Sequence, residues 1–175
     1  MKLYLDMDGV IADFFGALEK EFNVDHWKDI DDPVLAIDGL RNTDWFNQLE
    51  PFSTSKALVT ACRRIAYTDY GICSSPIQGD DINSGFWKRT WLTRHKFLPE
   101  VRNFIITQEK WKFANERISG EPNILVDDKP DNIKRWNDAG GIGFLYQANR
   151  DSLEDLISDL EYTFRTTSYQ PRPYL

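Results

Sequence analysis

Seven side chains in this sequence have types and spacing that could do chemistry together. Asp6 and Asp8 follow the apolar run Leu3-Tyr4-Leu5 and precede Gly9. Ser74 and Ser75 follow an apolar run at Tyr70–Cys73, Lys110 comes shortly after Phe104–Ile106, and Asp127 and Asp128 follow Ile124–Val126. Two carboxylates one residue apart at the exit of a buried strand resist joint ionisation, and burial raises the cost. Such a pair calls for a cation to neutralise it, or for a use that needs one protonated and one ionised acid. Taken singly, each group has a plainer reading. Asp-x-Asp-Gly and Ser-Ser-Pro can be turns, a lone lysine is usually solvated, and Asp-Asp before Lys-Pro can cap a helix. Their joint placement at four strand exits argues for a site.

The elements that must position them follow from the apolar pattern. Strands are expected at Lys2–Leu5, Tyr70–Cys73, Phe104–Ile106, Ile124–Val126 and Ile142–Tyr146. Helical stripes alternate with them: Leu58, Ala61, Cys62 and Ile65; a helix opened by Pro130 and closed at Ala139-Gly140-Gly141; and Leu153, Leu156, Ile157 and Leu160, capped by Asp151 or Ser152. Short, nearly continuous apolar strands alternating with helices predict an α/β fold, a Rossmann-like parallel sheet with helices on both faces. In such sheets, ligands bind beyond the carboxyl ends of the strands. Residues 16–50 break the rhythm and hold no convincing strand, although segments at Ala17–Phe22 and Pro33–Leu40 read as helical. A stretch this long is not an ordinary loop. It is expected to be a small helical cap inserted after the first strand, with residues 1–15 and 51–168 forming the core. The tail at 169–175 is expected to be extended.

Composition narrows the function. A hydrophobic fraction of 41% supports a packed core, which argues against wholesale disorder. The net charge of -7 argues against long nucleic acid as a partner, since that needs a basic surface. It leaves room for a small phosphorylated substrate handled by a metal and one or two cations. Cys62 and Cys73 lie in apolar stretches and read as buried thiols of a reduced protein. His26 and His95 are isolated, so no zinc-type cluster is expected. With a strand at the very start and no long apolar run, no signal peptide or membrane span is expected, and a cytoplasmic setting follows. Lys88, Arg89, Arg94, His95 and Lys96, interleaved with Trp87 and Trp91, read as a solvated basic face. Trp91 and Trp136 read as core.

The four strand exits resemble the motifs of the haloacid dehalogenase superfamily of phosphotransferases. These are Asp6-Met7-Asp8-Gly9-Val10, Ile72-Cys73-Ser74-Ser75-Pro76, Lys110, and Ile124-Leu125-Val126-Asp127-Asp128. Within it, the chain is similar to the 5'(3')-deoxyribonucleotidases. That likeness rests on Asp6 through Phe14, Trp45-Phe46-Asn47-Gln48-Leu49-Glu50-Pro51, Ile72 through Ile77, and Val126-Asp127-Asp128-Lys129-Pro130-Asp131. The sequence departs from the family at Ser74, where Thr is common, around Lys110, and across Asn23–Arg41.

The resemblance implies a Mg²⁺-dependent phosphatase of deoxyribonucleoside monophosphates that works through an aspartyl-phosphate. In that reading Asp6 is the nucleophile and Asp8 the acid and then the base. Ser74, Ser75, Lys110 and Gly9 would bind the phosphoryl group. The metal would be held by Asp6, by Asp8 through its carbonyl, and by Asp128 or Asp127, which sequence alone does not separate. Phe14, Trp45 and Phe46 would line the nucleoside pocket. A second reading keeps the mechanism and changes the substrate to another small phosphate ester or a 3'-phosphorylated nucleic-acid end. A third is a non-catalytic nucleotide-binding protein, and the competent residues at all four motifs weigh against it. The insert and the tail leave room for a homodimer.

Overall fold

Alternation with a period of two sorts the strand side chains onto two faces, and each face has its own apolar cluster. Leu3, Leu5, Ile72, Ile124 and Val126 join one cluster, while Tyr4, Cys73 and Leu125 join the other. The computed structural model describes residues 1–168; the tail expected at 169–175 lies outside the described residues. The elements in chain order are β1 (Leu3–Leu5), α1 (Phe14–Phe22), α2 (Pro33–Asp38), α3 (Trp45–Gln48), α4 (Ser55–Ala66) and β2 (Tyr70–Ser74). Then come α5 (Asp81–Arg94), β3 (Phe104–Ile106), β4 (Ile124–Asp127), α6 (Pro130–Asp138), β5 (Ile142–Leu145) and α7 (Leu153–Ser168).

The five strands form one parallel sheet in the order β3-β2-β1-β4-β5. Strands β1, β2 and β4 are buried along their whole length, and the edge strands β3 and β5 are partly covered. On one face lie Leu58, Val59 and Cys62 of α4, Trp91 and Leu92 of α5, and Leu156 and Leu160 of α7. On the other lie Trp136 of α6 and Ala114. Each fully buried indole finds an acceptor for its N–H: Trp91 donates to the Leu49 carbonyl at 2.7 Å and Trp136 to the Asn123 carbonyl at 3.0 Å. Both tryptophans are core, as expected. No helix among the described residues is long and apolar enough to cross a membrane.

This strand order makes the chain leave β1 on one side through β2 and β3 and return beside β1 at β4. The crevice at the carboxyl ends of β1 and β4 is therefore the natural ligand position. Two boundaries differ from expectation in a way that matters there. Ser74 pairs with Ile106 and Asp127 with Leu145, so both are the last residues of buried strands rather than the first of loops. The helices after β1 also shift. The first starts at Phe14 instead of Ala17, because the Asp13 carboxylate accepts the Gly16 amide at 2.9 Å and caps it. The second ends at Asp38 instead of Leu40.

Candidate active site

The segment after β1 is a tight buried turn. The amides of Ile11 and Ala12 donate to the Met7 carbonyl at 2.9 and 2.8 Å, and Met7, Val10, Ile11 and Ala12 are fully buried beneath it. Gly9 sits at φ +75°, and a Cβ there would lie 2.6 Å from Oδ2 of Asp128. Glycine is required twice over, by the backbone and by the approach of Asp128. The Gly9 amide donates to the Ala12 carbonyl at 2.9 Å. Gly9 therefore contributes room, and its N–H is already engaged within the turn.

From this turn Asp6 and Asp8 enter a cavity of about 200 Å³ whose walls include Phe14, Phe46, Ser75, Asp128 and Lys129. Asp6 is 5% exposed; its Oδ1 accepts the Met7 amide at 2.7 Å and its Oδ2 lies 2.8 Å from Nζ of Lys110. Burial alone would raise its affinity for a proton, but Lys110 and Lys88 outweigh burial and hold the carboxyl below its ordinary range. Lys110 lies on a short 3₁₀ turn after β3, and its Nζ also reaches Oδ2 of Asp127 at 2.6 Å. Burial would discharge this lysine, but Asp6 and Asp127 keep it firmly protonated.

Asp8 shows the opposite shift. Burial and the neighbouring Asp6 raise its carboxyl, and Lys88 only partly opposes them. Its Oδ2 accepts from Nζ of Lys88 at 2.6 Å, and its buried Oδ1 has no partner among the described residues. Two carboxyls two residues apart are thus driven in opposite directions by their surroundings, the pattern of an ionised group beside a proton carrier.

The two acids after β4 also separate. Asp127 is fully buried and saturated: Lys110 takes Oδ2, the Lys129 amide takes Oδ1 at 2.9 Å, and the Asn132 amide reaches both oxygens at 3.0 and 3.1 Å. Asp128 is half-buried and lines the cavity. Burial, Asp6 and Asp127 together push its carboxyl up to about 8. Asp6, Asp127 and Asp128 each bring a carboxylate oxygen within 4.8 Å of the others. Asp6, Asp8, Asp127 and Asp128 face two buried ammonium groups, Lys88 and Lys110, so full ionisation leaves two negative charges uncompensated. Hard oxygen donors with that deficit suit a divalent cation such as Mg²⁺.

Lys88 was read from the sequence as part of a solvated basic face, and the structure corrects this. It is fully buried on α5, with Nζ 2.6 Å from Asp8, 2.7 Å from the Ser74 hydroxyl oxygen and 4.3 Å from the centroid of the Phe46 ring. On the rest of that face Arg89, Arg94 and Lys96 are exposed, as expected. Arg94 donates to the Asn47 carbonyl, and the His95 ring packs on Trp91 at 4.4 Å. The signal was present in the periodicity: Ser84, Lys88, Trp91 and Leu92 share one helical face and are all buried.

Ser74 is fully buried beside Asp6 and holds Lys88, whereas Ser75 lines the cavity itself. Phe14 and Phe46 stack at 5.9 Å and also line it. Trp45 does not. It packs edge-on behind Phe14 at 6.3 Å and faces a separate recess with Asp13, Lys20 and Glu50. Asn132 is a further residue at the site that sequence reading missed.

No family model matches the chain. The chain is similar to the mitochondrial 5'(3')-deoxyribonucleotidase of Mus musculus, at 25% identity over 156 residues, covering 75% of this chain and 66% of that protein. It is similar to the human protein of the same name at 24% identity over 156 residues, covering 75% of this chain and 63% of the relative. The likeness is a distant homology, and the chain spans a little under two thirds of the length of these relatives.

Proposed function

We propose that the chain is a Mg²⁺-dependent phosphomonoesterase that removes phosphate from deoxyribonucleoside monophosphates. The observation that carries this reading is the Asp6 carboxylate, kept ionised by Lys110 at 2.8 Å in a cavity it shares with Asp8 and Asp128. The distant likeness to two enzymes named 5'(3')-deoxyribonucleotidase supports the substrate class. Division into a core at 1–15 and 51–168 and a cap at 16–50 belongs to the same proposal.

Mg²⁺ would be held by Asp6, Asp128 and the backbone carbonyl of Asp8, and when bound it supplies charge neutralisation for the phosphoryl oxygens. Asp128 is favoured over Asp127 because every strong position on Asp127 is already taken by Lys110, Asn132 and the Lys129 amide. Asp127 instead fixes Lys110.

In the first step an oxygen of Asp6 attacks phosphorus; the new P–O bond forms as the bond to the sugar oxygen breaks. Asp8 gives its proton to the departing oxygen, and the raised proton affinity of this half-buried acid supports that role. In the second step water attacks the aspartyl-phosphate, Asp8 takes the proton from that water, and inorganic phosphate leaves with Asp6 restored. Lys110 and the Ser75 backbone amide offset charge on the transferring group. Lys88 fixes the orientation of the Asp8 carboxyl through Oδ2. Phe14 and Phe46 offer the apolar wall for the nucleoside.

A panel of phosphate esters in Mg²⁺ tests the proposal. Deoxynucleoside monophosphates should be hydrolysed best, and Asp6→Asn should release no phosphate while keeping the native fold. Uniformly poor activity on these nucleotides beside a much better non-nucleotide ester would reject the substrate. Equal release by wild type and Asp6→Asn would reject the enzyme.

A further inference from the structure

The cavity around Asp6 measures about 200 Å³, below the ~300 Å³ at the lower end of sites for small organic ligands. It does not end there. Phe15, Ile37, Asp128 and Lys129 are shared walls with a second, open cavity of about 740 Å³. Beyond the shared walls this annex is lined by Trp27 and Lys28, ahead of α2, and by Arg150, after β5. The Phe15 and Trp27 rings pack at 4.9 Å, and Nζ of Lys28 lies 5.6 Å from the Trp27 ring centroid.

Its charge runs against that of the molecule. In a chain of net charge -7, this annex gathers Lys28, Lys129 and Arg150 and has one acidic wall residue, Asp128. All three cations are exposed, and among the described residues the one ion pair they make is Arg150 with Asp151 at 3.6 Å. An aromatic wall beside three accessible cations, opening directly off a phosphoryl site, has the chemistry of a subsite for a second anion on a nucleotide.

Resting on the phosphatase reading above, we propose that the preferred substrate is a small nucleotide carrying a second phosphate on its sugar. One phosphate is transferred at Asp6, and the other is held in the annex by Lys28, Lys129 and Arg150.

The test compares p-nitrophenyl phosphate, a deoxynucleoside 5'-monophosphate, the matching 3',5'-bisphosphate and a 5'-phosphorylated oligonucleotide, each at low salt. The enzymes are wild type and the double variant Lys28→Ala/Arg150→Ala. In the wild type, kcat/KM for the bisphosphate should exceed that for the monophosphate by about tenfold or more, the effect of one hydrogen bond to a charged group. The gain should lie mostly in KM. The double variant should lose that preference and still hydrolyse p-nitrophenyl phosphate at the wild-type rate, which also reports that it is folded. Equal kcat/KM for the two nucleotides in wild type, or a preference that survives in the variant, overturns the inference. So does an oligonucleotide hydrolysed better than the bisphosphate, because the occupant is then a nucleic-acid end. If wild type hydrolyses none of these esters, the phosphatase reading itself has failed and the inference falls with it.

Discussion

Nζ of Lys88 lies 2.6 Å from Oδ2 of Asp8, joining a fully buried lysine to a partly exposed carboxylate that lines the crevice between β1 and β4. The lysine comes from α5, eighty positions along the chain, and it also holds Ser74. Its charge works against the proton on Asp8, while its position fixes the orientation of the Asp8 carboxyl.

Replacing Lys88 by Met should therefore act on two levels. Removing one partner of a buried ion pair costs about 3–5 kcal/mol when the other stays charged; Asp8 can relieve part of that cost by taking up a proton. Asp8 will then hold its proton more tightly, so the alkaline limb of the kcat/KM profile should move to higher pH. Turnover should fall about 10²-fold, on the scale of losing one preorganised charged partner. Stopped assays across pH, paired with thermal unfolding, check all three.

Asp128 gives the pH dependence of metal binding. Burial and two neighbouring acids push its carboxyl up to about 8, against 3.8 for the free side chain. A ligand must lose its proton before it binds a cation, so Mg²⁺ affinity should rise with pH, by up to about tenfold per unit, and level off near pH 8. In metal-free protein the native state binds more protons than the unfolded chain between about pH 4 and 8, so the contribution of this group to stability falls as pH rises through that window. Calorimetric titration of Mg²⁺ should follow the first trend. Denaturant unfolding of wild type and Asp128→Asn should reveal the second as a difference that grows toward pH 8, with the variant the more stable without metal.

Gly9→Ala should damage the site without touching a chemical group. A Cβ at this position meets Oδ2 of Asp128 at 2.6 Å, and φ +75° disfavours any side chain. The backbone cost is about 1–2 kcal/mol. Displacement of Asp128 should weaken Mg²⁺ binding, so the variant's activity should recover in part at high Mg²⁺. Activity measured against Mg²⁺ concentration separates this from general unfolding, which added metal would not reverse in that graded way.

Phe14→Leu should raise KM for nucleotides several-fold and leave p-nitrophenyl phosphate turnover nearly unchanged, because the ring gives the cavity an apolar wall without a polar group for the phosphate and the replacement keeps most of the buried volume. Trp45→Phe, lying behind Phe14, should change nucleotide KM far less. Steady-state kinetics on the two substrates distinguish a pocket wall from packing.

The sheet was legible because each strand is short, apolar and bounded by helical periodicity, and the parallel α/β arrangement follows from that alternation. The acids, Ser74 and Lys110 were legible because each stands at a strand exit, where topology concentrates ligands. Lys88 was not, because a lysine among Arg and His reads as solvated unless the stripe of Ser84, Trp91 and Leu92 beside it is weighed. The roles of Asp127 and Asp128 were also closed to sequence reading. Adjacent residues differ in which way the chain turns, and only the bonds from Lys110, Asn132 and the Lys129 amide reveal that Asp127 is already occupied. Trp45 and Phe46 part for a related reason: neighbours on a four-residue helix line different recesses.

The central claim is that Asp6 forms a covalent bond to phosphorus. The most direct measurement is acid quenching of the protein during turnover of a labelled nucleotide, followed by peptide mapping of the bound phosphate. The account predicts an acid-stable, hydroxylamine-labile phosphate on the peptide that contains Asp6, and none in Asp6→Asn. Turnover with no phosphate on that peptide, or the same label persisting in Asp6→Asn, would contradict it.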